Sequence, residues 1–182
     1  MNNFRLSFLL LVLITTFASC KKDNDPAPPT KTELLTAKPW KLTAFSVSPA
    51  LPDSIFIEDG TGSFSDILGF YSSKGVGCFN DNQRIFTKPK SFSYNQGATK
   101  CDASGAIDYA SGNWALSLDE KSLFLTFTNV PTSTNINDII FDWSIPNGGN
   151  VVEFTVTELT ATSLKYTYAI GQFTFTETLS NQ

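Results

Sequence analysis

The stretch from Leu164 to Leu179 leaves the chain least freedom. Leu164, Tyr166, Tyr168 and Ile170 alternate with other residues on one side of Gly171-Gln172, and Phe173, Phe175 and Leu179 do so on the other. Successive side chains of a strand point to opposite faces, so each run carries one apolar face. A two-residue type II′ turn at Gly171-Gln172 sets Ile170 opposite Phe173, Tyr168 opposite Phe175, Tyr166 opposite Glu177 and Leu164 opposite Leu179. A one-residue slip would set apolar against polar along the whole hairpin, so the register is tightly specified.

The same period recurs upstream. Trp114, Leu116 and Leu118 alternate with Ala115 and Ser117, and a turn at Asp119-Glu120-Lys121-Ser122 sets Leu118 opposite Leu123, Leu116 opposite Leu125 and Trp114 opposite Phe127. Val152, Phe154 and Val156 form another apolar face, and Gln83 to Thr87 and Ser91 to Asn95 read as strands around Lys88-Pro89-Lys90. Trp40, Leu42 and Ala44 alternate with Lys41 and Thr43 as a further strand. Ahead of it, Thr32 to Ala37 reads as a short helix with Thr32 as N-cap, stopped by Pro39. Residues 46–77, broken by Pro49, Pro52 and five glycines, read as a long, partly ordered loop. Residues 129–150 form a second interruption: a short helix, an extra strand or a flap.

This is an all-β chain of about eight antiparallel strands in nearly up-and-down order, each half apolar. Such a sheet must close on itself or pack as a sandwich. An immunoglobulin sandwich would carry its buried tryptophan between the two cysteines in sequence, but Trp114 follows Cys101. A closed barrel is therefore preferred.

The 182 residues include no histidine, so the commonest general base and the commonest metal ligand are both missing. Nucleophilic or hydrolytic chemistry would have to use Ser with Lys, or paired carboxylates, and no motif supports either. Asp119-Glu120 sits at a hairpin tip, and Glu58-Asp59-Gly60 lacks the alternating carboxylates of a calcium loop. The chain is read as a non-enzyme with no cofactor and no metal. Thirteen Lys and Arg against 17 Asp and Glu argue against nucleic acid as a partner.

Location is readable at the N-terminus. Arg5 precedes the apolar run Phe8 to Ile14 and then Phe17-Ala18-Ser19-Cys20. Seven apolar residues are too few for a spanning helix, which needs roughly 20, but suit a secretory signal. A cysteine directly after Ala18-Ser19 resembles a bacterial lipoprotein signal, in which that cysteine is lipidated and becomes the first residue. An ordinary cleaved signal is the alternative. On the first reading, residues 1–19 are the signal, 20–31 a lipidated tether rich in charge and proline, and 32–182 the folded domain. The membrane is then a partner through the lipid on Cys20, and the protein belongs to the cell envelope at the outer membrane, periplasmic or surface-facing. Acidic residues just after Cys20 resemble surface-export signals of Bacteroidota lipoproteins. Losing residues 1–19 removes only Arg5 among charged side chains, leaving 12 Lys and Arg against 17 Asp and Glu, a net charge of −5. Cys78 and Cys101 remain as an even pair in an oxidising compartment, where they form a disulfide or stay as two buried thiols. Asp53-Ser54-Ile55 resembles an O-glycosylation acceptor of Bacteroidota, with Ser54 as the modified residue.

Four segments together resemble the lipocalin-like domains of Bacteroidota lipoproteins. They are Leu34-Leu35-Thr36-Ala37-Lys38-Pro39-Trp40-Lys41-Leu42, Cys78-Phe79-Asn80-Asp81-Asn82, Gly97-Ala98-Thr99-Lys100-Cys101-Asp102, and Gly112-Asn113-Trp114-Ala115-Leu116-Ser117-Leu118-Asp119. The resemblance runs over roughly Lys31 to Leu179. It implies an eight-stranded up-and-down barrel and a disulfide between Cys78 and Cys101, and it implies no shared catalytic residue. Pro39 and the insertion-like stretch from Thr132 to Asn150 depart from the pattern.

The barrel interior is where function is sought. The derived registers turn Trp114, Phe154, Tyr166, Tyr168, Phe175 and Glu177 inward, mixing large aromatics with a carboxylate. Glu158 falls on the apolar parity of its strand, so two inward carboxylates require partners or water, and Arg84 is a candidate counter-charge. One reading is a membrane-anchored binding protein that holds a small apolar or amphipathic molecule at these six residues. The other is a ligand-free anchored interaction or accessory module with a filled core. An eight-stranded barrel can be solid or can hold one small ligand, so the fold does not choose.

Overall fold

The computed structural model describes residues 27–55, 61–100, 106–129 and 151–181. In chain order these form α1 (Lys31–Thr36), β1 (Trp40–Pro52), a 3-10 helix (Asp53–Ile55), β2 (Ser63–Asp66), α2 (Ile67–Ser73) and a second 3-10 helix (Gly77–Asp81). Then follow β3 (Gln83–Thr87), β4 (Ser91–Asn95), β5 (Asp108–Leu116), β6 (Ser122–Asn129), β7 (Val151–Leu159), β8 (Ser163–Ile170) and β9 (Phe173–Asn181). From β3 to β9 each strand pairs antiparallel with the next, and β9 returns to β1 from Trp40↔Asn181 to Ser48↔Thr174. β1 meets β3 at Trp40↔Arg84 and Lys41↔Gln83, which closes an eight-stranded, all-antiparallel barrel. Among the described residues closure leaves no long free edge, and β2 adds to the far half of β1.

The C-terminal hairpin has the expected register: Ile170↔Phe173, Tyr168↔Phe175, Tyr166↔Glu177 and Leu164↔Leu179. Gly171 supplies the positive φ of +58° that the first central residue of a type II′ turn requires. Leu164, Phe154, Leu123 and Leu179 are fully buried on the inner face. Each contributes roughly 1.5–3 kcal/mol of apolar burial.

Elsewhere the structure corrects the sequence reading. In the β5–β6 hairpin the apolar faces do meet, but two residues out of the expected register: Leu116 faces Leu123, Trp114 faces Leu125 and Gly112 faces Phe127. The Ser117 side chain explains the shift. Its Oγ accepts from the backbone N–H groups of Lys121 and Ser122, at 3.2 and 2.9 Å, and donates to Asp119 Oδ1 at 2.6 Å. The loop therefore closes one residue earlier than expected, and Leu118 is left fully exposed at its tip. Gly112 is needed where it stands, because a Cβ there would lie 2.0 Å from Thr126 O.

In β1, the pairing passes from Leu42↔Leu179 to Ala44↔Thr178, so Thr43 is an extra, bulged residue. Parity flips after it: Ala44 is exposed, and Phe45 and Val47 turn inward. In β7, a shift between Val156↔Tyr166 and Glu158↔Lys165 turns Glu158 to solvent, against its expected inward facing. The stretch read as a loop, residues 46–77, holds the rest of β1, the first 3-10 helix, β2 and α2, and ends where the second 3-10 helix begins.

The N-terminal helix is capped by Thr30, not Thr32. Thr30 and Glu33 form a reciprocal capping box, which satisfies two backbone donors and starts the helix two residues earlier. Leu35 is buried, Trp40 Nε1 donates to Leu35 O at 2.9 Å, and Lys31 Nζ donates to Glu120 O at 2.9 Å. α1 thus lies across the barrel end that carries the β5–β6 loop. Residues 56–60, 101–105 and 130–150, with the expectations placed on them, fall outside the described residues.

Candidate functional site

Glu177 lies between Phe175 and Leu179 on the inward parity of β9, and Arg84 shares the inward face of β3 with Phe86. Both are almost wholly out of water, 3 % and 5 % exposed, and Arg84 Nη2 donates to Glu177 Oε2 at 3.2 Å. Tyr166, the cross-strand partner of Glu177, donates its hydroxyl to the same oxygen at 2.7 Å. On the other side Arg84 Nη1 donates to Tyr109 Oη at 3.1 Å, and the guanidinium lies 3.7 Å above the Tyr94 ring centre. Asn82 Nδ2 reaches the Tyr109 hydroxyl at 3.5 Å. The barrel interior is therefore crossed by a polar chain running Asn82, Tyr109, Arg84, Glu177, Tyr166.

This chain is incompletely satisfied. Arg84 Nε and Asn82 Oδ1 are buried without a hydrogen-bond partner, and Tyr168 Oη, near the Glu177 carboxylate, meets no partner with hydrogen-bond geometry. Burial pushes the hydroxyls of Tyr94, Tyr109, Tyr166 and Tyr168 above the usual phenolic range. The charge of Glu177 adds to this and that of Arg84 offsets part of it. Burial alone would lower Arg84, but Tyr109 and Glu177 outweigh it and hold the guanidinium firmly charged. The site thus presents a matched ion pair surrounded by neutral phenols.

Aromatic rings flank the pair on both sides. Phe154 packs edge-on against Tyr166 and Tyr168, with ring centres 4.8 and 5.1 Å apart, and Tyr168 stacks on Phe175 at 5.3 Å. Phe45 joins Phe175 at 6.0 Å. In a second group, Phe127 meets Phe92 and Tyr94 edge-on, and Phe92 and Tyr94 lie tilted to each other. Of the six expected ligand-site residues, the structure brings together Phe154, Tyr166, Tyr168, Phe175 and Glu177. Trp114 belongs elsewhere: it packs edge-on to Phe86 at 6.2 Å, and its Nε1 donates to Thr87 O at 3.1 Å.

Tyr94, Tyr109 and Asn82 were not singled out from sequence. Tyr94 alternates with Phe92, so its inward facing could have been read from parity. Tyr109 and Asn82 flank the strand core and carry no periodic signal. Ser54 is exposed in its 3-10 helix. Cys78 is half-buried against the core, while Cys20 and Cys101 lie outside the described residues. Two surface grooves of about 500 and 400 Å³ are lined by residues such as Thr43, Asp66 and Ser72, and by Glu33, Thr36 and Lys88; none of the six expected residues lines either. Among the described residues, no cluster of three or more Cys, Asp or Glu is placed to hold a metal, and no helix is long and apolar enough to cross a membrane.

No protein-family model matches this chain, and no curated protein does. Solved structures similar to it include three from Bacteroides species. A lipocalin-like protein from Bacteroides uniformis is 18 % identical, over 82 % of this chain and 99 % of its own, with a TM-score of 0.46. An uncharacterized protein from Bacteroides eggerthii is 14 % identical, over 80 % and 98 %, with a TM-score of 0.42. A DUF4847 family protein from Bacteroides vulgatus is 13 % identical, over 84 % and 98 %, with a TM-score of 0.50. At these identities the likeness concerns the fold alone, and the last of the three is the one close enough to bear on it.

Proposed function

We propose that this chain is an envelope-anchored binding protein, not an enzyme, whose barrel takes up a small apolar or amphipathic molecule at the Arg84–Glu177 cluster. One observation carries the reading: an ion pair sits at the centre of the barrel with polar atoms of Arg84, Asn82 and Tyr168 left unpartnered around it. Replacing a buried pair by apolar residues of similar volume is often neutral or stabilising, so stability alone gives little reason to keep one. An interior that keeps spare donors and acceptors beside aromatic rings has the chemistry of a recognition site. The anchor is the lipid on Cys20, the tether residues 20–31, and the location the outer membrane, facing the periplasm or the surface. Cys101 is the partner of the Cys78 disulfide in this reading, and Ser54 the glycosylated residue.

Native mass spectrometry of the full chain purified from its own host tests the function. A retained small molecule, lost in a Tyr166→Phe/Tyr168→Phe variant, is the expected result. Protein that carries nothing, and that takes up no apolar probe when challenged, overturns it. The close edge-on and stacked packing of Phe154, Tyr166, Tyr168 and Phe175 favours a second reading in that event, a filled barrel acting as an anchored interaction module.

A further inference from the structure

The charge and hydrogen-bonding state of the cluster define which head group it would accept. Arg84 and Glu177 are matched one to one, at 3.2 Å, so the site has no net charge to offer a ligand. A carboxylate brought in beside them would be an unmatched anion next to Glu177, and an ammonium would be an unmatched cation next to Arg84. Both would give up water in a site where burial of an unpaired charge is strongly unfavourable. What the cluster does hold in reserve is neutral valence. The Arg84 Nε–H is a spare donor, the Tyr168 hydroxyl can donate or accept, and the Asn82 amide has one end unused. These groups lie along one connected chain, since Asn82 and Arg84 share the Tyr109 hydroxyl and Tyr168 sits near the carboxylate that Arg84 binds. The barrel end opposite α1 has an apolar border suited to a tail: Ile107 and Val151 are exposed there, and Ile170 and Phe173 are half-buried.

We infer that the barrel selects an amphipathic molecule with a neutral hydrogen-bonding head, an alcohol, amide or ester carbonyl, over a fatty acid or an amine of the same tail. The inference rests on the binding reading proposed above and goes beyond it in naming the ligand's charge. The ion pair then acts as a filter, with Glu177 rejecting anions that Arg84 alone would attract.

The test uses the full chain in detergent, mixed with one chain-matched probe at a time at neutral pH: 1-decanol, decanoate or decylamine. Occupancy is read by native mass spectrometry. The expected result is that decanol is retained about tenfold better than either charged probe, the equivalent of about 1.4 kcal/mol. Glu177→Gln should reverse the order toward decanoate, because Arg84 then carries the cluster's unmatched charge. If that variant does not fold, Tyr168→Phe leaves the ion pair intact and should lower decanol retention about fivefold, the worth of one hydrogen bond. Decanoate retained as well as decanol, or decanol retention unmoved by Tyr168→Phe, overturns the inference while leaving the binding reading in place. Retention of none of the three overturns the binding reading itself.

Discussion

β8 and β9 stay in register from Ser163↔Ser180 to Ile170↔Phe173, whereas β1 and β3, which also neighbour each other in the barrel, share two pairs. A two-residue turn joins the first couple, so its ladder forms from local contacts. The second couple is separated by everything from β2 to the second 3-10 helix. After Leu42 N donates to Asn82 O, backbone pairing between β1 and the approach to β3 gives way to side chains. Ile67, Leu68, Tyr71 and Phe79 are buried along this seam, and Phe64 stacks on Phe70 at 3.9 Å. Arg84, at the edge of the seam, reaches across the interior to Glu177 on the regular wall. A barrel can therefore close through packing and one ion pair where its ladder is short.

Alkali probes both regions at once and has the largest expected effect. All five tyrosines of the chain, Tyr71 in the seam and Tyr94, Tyr109, Tyr166 and Tyr168 in the interior, are raised above the ordinary value of 10.0, chiefly by burial. Below pH 10 folded and unfolded chains both hold these protons, and stability is unaffected by them. Above pH 10 the unfolded chain releases protons that the folded chain keeps, so stability falls as pH rises. The slope is roughly 1.4 kcal/mol per pH unit for each fully buried tyrosine. Tyrosinate absorbance should accordingly rise together with loss of β-sheet circular dichroism. If Tyr71 ionises ahead of the others, the seam opens locally before the wall fails. Normal titration near pH 10 with the fold intact would contradict the burial described here.

The ion pair comes next. Arg84→Met or Glu177→Leu alone leaves an uncompensated buried charge and should cost about 3–5 kcal/mol in urea denaturation. The double variant should return to near the parent stability, or above it. Singles no worse than the double would mean that the pair does not tie the seam to the wall.

A smaller contrast separates seam from wall by packing alone. Leu164→Ala, in the rigid hairpin, should cost about 2–5 kcal/mol, and Leu68→Ala in α2 should sit at the low end of that range. α2 is a seven-residue helix that can settle toward the vacated volume, whereas β8 is held by an unbroken ladder to β9 on one side and by β7 on the other. Amide exchange should follow the same order, fastest across residues 63–81. Equal losses at the two leucines would make the seam as rigid as the wall.

The sequence was legible where one turn and one parity decide the outcome. Gly171-Gln172 with its flanking alternation determined the β8–β9 register, and the strand bounds of β3 and β4 followed from Lys88-Pro89-Lys90. Legibility failed at single extra residues and at side-chain hydrogen bonds. Thr43 flips the facing of β1, and the Ser117 hydroxyl moves the β5–β6 loop by one residue; neither leaves a mark in the hydrophobic pattern. Of the polar cluster, Glu177 could be found from the hairpin register, and Arg84 could be named as a candidate. Their pairing spans 93 residues and depends on how β3 is brought round to face β9, which no local pattern encodes.

Glu158→Ala should have the smallest effect, and it tests the same distinction on one residue type. By parity alone Glu158 and Glu177 are equivalent, each falling on the apolar face of its strand. The shift in β7 after Val156 separates them: Glu158 pairs across the ladder with Lys165 and faces solvent, and Thr157 Oγ1 donates to Lys165 O at 3.1 Å within the irregular step. An exposed cross-strand charge pair is worth little, because water and salt screen it and both side chains stay mobile. Replacing Glu158 by Ala should therefore change stability by less than about 0.5 kcal/mol, against the several kcal/mol expected for Glu177. A loss at Glu158 comparable to that at Glu177 would mean that the unshifted register is the true one. The barrel would then carry two interior carboxylates, and the one-to-one matching of charge from which its head-group preference is inferred would fail.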